Sequence, residues 1–172
     1  MEIHRFEKLW LGASLLLIVA FIATIVYGSA AVGITMVDDS GGTVNPSNVT
    51  ASGNFRDPGV YGGDGAYDVY VIARQFQYSP GTGTPIRVPA GTNVTFHVTS
   101  SDVVHGFEVV GTNVNLMVIP GQVAQVTVRF DEPGTYRIVC NEYCGSGHHA
   151  MEGTIQIVPR DEYDANRTEV TA

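Results

Sequence analysis

Four soft metal donors stand within twelve residues near the C-terminus, in Cys140-Asn141-Glu142-Tyr143-Cys144-Gly145-Ser146-Gly147-His148-His149-Ala150-Met151. Both cysteines of the protein are here, four positions apart. His148 follows Cys144 by four, and Met151 follows His148 by three. Two thiols, an imidazole and a thioether select soft metals such as copper over calcium or magnesium. A fold for this chain has to gather that segment around one point, with at least one more donor supplied from elsewhere.

His105, in Ser101-Asp102-Val103-Val104-His105-Gly106-Phe107, is the candidate for that further donor. It falls in a turn-like stretch between two predicted strands, with Asp102 placed to support it. The other histidines read differently. His4 is in the N-terminal leader, His97 falls on the polar, solvent-facing side of a strand, and His149 is a neighbour of His148 in register. A Cys140–Cys144 disulfide would close only a very small loop and would leave His105, His148 and Met151 without a role. Tetrahedral zinc on His105, Cys140, Cys144 and His148 leaves Met151 over. A mononuclear blue copper site takes one thiolate and leaves a cysteine over. A pair of copper ions bridged by both thiolates uses every donor.

The N-terminus carries a second constraint. No charged residue occurs from Leu9 to Val37. A membrane-crossing helix needs ~20 apolar residues, and a cleaved signal core has only ~7–15. The stretch is therefore expected to be a retained anchor, with Trp10 and Tyr27 near its two ends. Arg5 and Lys8 precede it and Asp38 and Asp39 follow it, which puts the N-terminus in the cytoplasm and the rest outside. The exported part, from residue 38 onward, holds seven arginines against fifteen acidic residues and so carries the whole net charge of −8. Such a surface repels nucleic acid and favours cationic or weakly charged partners.

Composition divides the chain into a polar leader (1–8), the membrane helix (9–36), a flexible linker rich in Gly, Asp, Asn and Ser (37–66), a β domain (67–158) and a polar tail (159–172). In the β domain, short β-branched runs alternate with turn residues, the pattern of a sandwich or barrel. Val69, Val71 and Ala73 alternate along one run, Val94, Phe96 and Val98 share a face of another, and Ile155 and Ile157 close the domain.

Cys-x-Glu-x-Cys-Gly-x-x-His-x-x-Met, preceded by Asp-Val-x-His, resembles the dinuclear copper A domain of cytochrome c oxidase subunit II, in the branch with a single membrane helix. The resemblance runs from about Ala73 to Val158. It implies an all-β, cupredoxin-like Greek-key sandwich with one N-terminal transmembrane helix. It implies two copper ions bridged by Cys140 and Cys144, with His105 and His148 on one ion each, Met151 as a weak ligand and Glu142 offering its carbonyl. A magnesium ion at the subunit interface, near the Glu142 carboxylate, belongs to the two-helix branch. Ala73-Arg74-Gln75-Phe76-Gln77-Tyr78 sits where the family carries an aromatic patch through which electrons enter, so Phe76 and Tyr78 are the candidates here. The implied role is to accept electrons from a cytochrome c or a small blue copper protein. The chain would pass them to haem in subunit I of a terminal haem-copper oxidase in the plasma membrane, without bond chemistry of its own. The rival readings are the copper A subunit of a nitric oxide reductase and a membrane-anchored copper-delivery protein.

Overall fold

The structure is a computed structural model that describes residues 4–31, 41–53, 55–63 and 65–164. The end of the expected membrane span (32–36), Asp38 and Asp39, and the tail from 165 onward lie outside the described residues. The chain divides into two units, residues 1–36 and 37–172.

The first unit is the helix α1 (Arg5–Ala31), which begins inside the expected leader. Its 24-residue stretch Arg5–Gly28 contains an 18-residue window with a mean hydropathy of 2.6, none of it buried. At ~1.5 Å per residue it covers roughly 36 Å, more than the ~30 Å hydrocarbon core of a bilayer. Leu15, Leu16, Leu17 and Phe21 all face outward. A helix that is apolar on every side has no polar face to turn to water, so by length and composition it suits lipid.

The second unit is built from β1 (Gly59–Gly63), β2 (Ala66–Arg74), β3 (Gln77–Ser79), β4 (Ile86–Pro89), β5 (Thr92–Ser100), β6 (His105–Val109), β7 (Asn115–Val118), β8 (Ala124–Phe130), β9 (Gly134–Val139) and β10 (Glu152–Val158). One sheet runs β1-β2-β5-β8, with β3 paired to β2, and the other runs β4-β10-β9-β6-β7. β5 lies parallel to β2 and antiparallel to β8, and β10 lies parallel to β4 and antiparallel to β9. These non-consecutive pairings make a sandwich rather than a meander.

Period-2 alternation explains the core. Val94, Phe96 and Val98 point to one side of β5 and are fully buried, beside Val69 and Val71 of β2. Ile138, Ile155 and Ile157 come from the opposite sheet. The Phe96 and Phe107 ring centroids, one from each sheet, lie 5.4 Å apart. Each fully buried side chain of this kind contributes about 1.5–3 kcal/mol.

Two expectations change. Part of the segment 37–66, read as a flexible linker, is built into the domain. Residues Val49–Ser52 form a 3-10 turn, Gly59–Gly63 form β1, and Val44, Val49 and Phe55 pack with Val123 in a second apolar cluster against Tyr70 and Ile72. The cause lies in β2. Its inward residues are Val69, Val71 and Ala73, but its outward residues include Tyr70 and Ile72, so both faces demand cover. His97, expected to face solvent, is instead covered by the same aromatic group. It stacks on Tyr70 with centroids 4.4 Å apart and meets Asp68 Oδ1 at 2.8 Å through Nε2.

Candidate metal centre

The twelve-residue segment is a closed loop because the strands on either side of it pair. Val139 ends β9, Glu152 begins β10, and the two stand opposite each other in an antiparallel ladder. The Cys140 N–H donates to the Met151 carbonyl at 3.3 Å, so both ends of the loop are pinned. Residues His148–Ala150 make a short 3-10 turn that brings His148 back toward Cys144. His105 arrives from the neighbouring strand, as the first residue of β6.

The expected donors converge. Both cysteines are free thiols, with their sulfurs 3.7 Å apart. His105 Nδ1 lies 4.0 Å from Cys140 Sγ, and His148 Nδ1 lies 3.7 Å from Cys144 Sγ. Met151 Sδ lies 3.6 Å from Cys144 Sγ. The Cys140 thiol also points at the Glu142 carbonyl, 3.1 Å away, while the Glu142 residue as a whole is exposed. The donor atoms of His105, Cys140 and Cys144 all fall within 4.8 Å of one another. A first-row ion sits about 2.3 Å from a thiolate sulfur, so two sulfurs at this separation can touch the same ion. The donor set is soft and the spacing suits bridging, so the His105–Cys140–Cys144 group is compatible with copper. His149 is exposed and takes no part in this cluster.

The surroundings hold the donors in place. Asp102 Oδ1 meets His105 Nε2 at 2.8 Å, which turns Nδ1 toward the sulfurs and fixes the tautomer. Burial disfavours the charged form of Asp102. The Gln75 amide, the His105 ring and the Val103 amide outweigh that and hold its carboxyl below the ordinary value. Burial, and after it the adjacent Cys140, pushes the Cys144 thiol up to about 11. A cation at the sulfurs reverses that bias, because a coordinating thiol gives up its proton. Gly106 N–H donates to Cys140 Sγ at 3.4 Å. A Cβ on Gly106 would lie 2.8 Å from the Asn141 nitrogen, so only glycine lets β6 approach the loop this closely.

The two aromatic candidates separate. Tyr78 is 1% exposed, inside the core, and donates its hydroxyl to the Gly106 carbonyl at 2.6 Å. Phe76 is half-buried and lies against Gly145 and Gly147 of the donor loop. Residue-type reasoning misses Gln75, whose side-chain amide donates to the Cys144 carbonyl. It also misses the part played by Gly106. Neither carries a metal-ligating group, so no local signal marks them.

A sandwich that gathers sulfur and imidazole donors at the end of paired strands is a cupredoxin-like domain of the copper-binding type. The model of the family "cytochrome c oxidase subunit II, periplasmic domain" matches residues 68–158. The chain is 45% identical over 160 residues to a cytochrome c oxidase subunit 2 of Thermus thermophilus, covering 90% of this chain and 93% of that one. It is 36% identical over 96 residues to a heme-copper oxidase subunit 2 of Aeropyrum pernix, across 52% of this chain and 41% of that one. A chain in the cryo-EM structure of a heme-copper terminal oxidase dimer superposes with a TM-score of 0.65 at 36% identity, covering 90% of this chain and 100% of that chain. The periplasmic domain of subunit II from Bradyrhizobium japonicum shares the fold, with a TM-score of 0.50 at 21% identity over 55% of this chain and 86% of that one. The chain belongs to the cytochrome c oxidase subunit II family, and so to the oxidoreductases. It pairs an apolar N-terminal helix with that family's periplasmic domain.

Proposed function

We propose that this chain is the electron-accepting subunit of a terminal haem-copper oxidase, with a dinuclear copper centre held by Cys140, Cys144, His105, His148, Met151 and the Glu142 carbonyl. The observation that carries this reading is the pair of free thiols 3.7 Å apart, ringed by two imidazoles and a thioether. Copper bound there supplies one-electron redox chemistry. The protein's part is to keep its donor atoms still. Cys140 and Met151 are fixed by the strand pair, His105 by Asp102, and Cys140 Sγ by the Gly106 amide. His105, Cys144 and Met151 are at most 3% exposed and Cys140 is 7% exposed, so little water reaches the sulfurs. Rigid donors and a dry site lower the rearrangement that accompanies gain or loss of an electron.

Phe76 is the aromatic group through which a donor's electron would arrive, since Tyr78 lies in the core. An acidic domain draws a basic cytochrome c by long-range attraction, or a small blue copper protein where salt screens the charges. The receiving partner is the haem-bearing subunit I. Were a magnesium ion held at the boundary between the two subunits, as in the two-helix branch, the Glu142 carboxylate, outside the donor cluster, is the group this chain would offer to it. Arg5 and Lys8 before the apolar run set the N-terminus in the cytoplasm, with α1 in lipid and the copper domain outside. Burial of His105, Cys140, Cys144 and Met151 speaks against copper delivery, which needs an ion that a partner can reach. No geometric feature favours a nitric oxide reductase.

The test is copper loading of the full-length chain in detergent. The reading expects two copper ions per chain and a paramagnetic spectrum in which one unpaired electron couples to two equivalent copper nuclei. A single bound ion would overturn it. Oxygen uptake and haem analysis of the complex isolated with this chain from its native membrane test the oxidase assignment.

A further inference from the structure

We propose that Gln75 is a positioning residue that straps together the two loops carrying the metal donors, a role that rests on the copper reading above. Gln75 follows β2 and precedes β3, at the end of the sandwich where the donors gather. Its main-chain N–H donates to Asp102 Oδ2 at 2.7 Å, while Asp102 Oδ1 meets His105 Nε2 at 2.8 Å. Its side-chain amide donates to the Cys144 carbonyl, 69 positions along the chain. One residue therefore engages the loop that aims His105 and the loop that carries Cys144.

The donor loop needs such a strap because of where its fixed points are. Cys140 and Met151 adjoin paired strands, but Cys144 is in mid-loop, and no sheet hydrogen bond reaches it. Its carbonyl is instead anchored from outside, by Gln75. The next residues pass directly beneath the Gln75-Phe76 turn. Gly145 has φ +130°, a conformation that side-chain-bearing residues rarely adopt. A Cβ there would lie 2.6 Å from Gln75 Nε2, and one on Gly147 would lie 2.6 Å from the Phe76 ring. Two glycines thus leave room for the strap to reach the backbone. With the Cys144 carbonyl held, the direction of its Cα–Cβ bond is set, and a single side-chain torsion from that fixed base places Sγ 3.7 Å from Cys140 Sγ. Releasing the carbonyl frees Cys144 to turn and lets the two sulfurs drift apart. Gln75 touches no donor atom; it acts through Asp102 and through the Cys144 backbone.

Gln75→Ala, Gln75→Glu and the control Gln77→Ala are to be compared in the full-length, copper-loaded chain in detergent. Gln77 is the exposed neighbour on the same hairpin. The readouts are the copper-to-protein ratio, the rate of copper loss to a chelator, the hyperfine pattern and the unfolding midpoint of the metal-free chain. Gln75→Ala is expected to release copper about 10-fold faster, the lower end of the effect of outer partners on metal sites, and to alter the hyperfine pattern. Gln75→Glu keeps the length of the side chain but sets an acceptor against the carbonyl, and is expected to do the same. Gln77→Ala should match the wild type. If both Gln75 variants release copper at the wild-type rate with an unchanged hyperfine pattern, the positioning role of the Gln75 side chain is overturned, whatever happens to the unfolding midpoint. Should Gln75→Ala fail to fold, Gln75→Glu alone decides. A wild-type chain without the coupled copper pair would instead overturn the function proposed above.

Discussion

Tyr78 donates its buried hydroxyl to the carbonyl of Gly106 at 2.6 Å, and the N–H of that glycine donates to Cys140 Sγ at 3.4 Å. The core is thereby wired to one of the two sulfurs. Burial, with Cys140 next, raises the phenol above its ordinary value, so it stays protonated and remains a donor. Tyr78→Phe leaves the Gly106 carbonyl unpaired in the interior. The expected loss is about 1–3 kcal/mol, which lowers the unfolding midpoint by several degrees. Thermal unfolding of the full-length chain measures this, and an unchanged midpoint would show that the carbonyl finds another partner.

Asp102 orients His105 through a contact of 2.8 Å. Asp102→Asn exchanges a charged acceptor for an amide and removes the preference for one ring tautomer. Copper affinity, measured by competition with a chelator, is expected to fall 10- to 100-fold. The same pair gives a pH signature in the metal-free chain. The folded carboxyl is held below its ordinary value, so its contribution to stability is present above the unfolded pKa and is lost as pH falls through the folded one. The stability gap between the wild type and Asp102→Asn should narrow as pH drops below about 4. A gap that stays constant to strongly acidic pH would show that the carboxylate is not held.

Cys140→Ser and Cys144→Ser each remove one of the two sulfurs that stand 3.7 Å apart. Either change is expected to abolish the spectrum of a coupled copper pair, leaving at most one ion per chain. Absorption and paramagnetic resonance of the copper-loaded variants make the comparison. An unaltered spectrum in either one would rule out bridging by both thiolates.

Phe55 is 2% exposed and meets Tyr70 edge-on at 5.1 Å. Phe55→Ala should remove about 3–5 kcal/mol of packing from the second cluster, which then opens ahead of the rest of the domain. Cleavage within residues 41–63 by a protease at low concentration should rise well before the β domain is lost. Resistance equal to that of the wild type would show that the cluster does not depend on this ring.

Much of the domain was legible because its signals are local. The alternation of Val94, Phe96 and Val98 marks a half-buried strand without reference to any other residue. The spacing of Cys140, Cys144, His148 and Met151 names a soft-metal site by chemistry alone. The segment 43–63 was not legible, because Val44, Val49 and Phe55 are scattered among polar and turn residues. Their destination is set by Tyr70 and Ile72, on the far side of a strand that reads as one-faced. Tyr78 and Phe76 stand two positions apart and look alike in sequence, yet one lies in the core and the other beside the donor loop.

The sequence alone determined which atoms can bind a metal and that a long apolar helix precedes them, since ligand softness and hydropathy belong to residues and to short runs of residues. Only the tertiary structure decided that His105 reaches Cys140 across 35 positions and that Gln75 reaches Cys144 across 69. Those distances depend on which strands pair and in what register, and a strand's pattern of buried residues says which face it hides but not which strand will lie beside it.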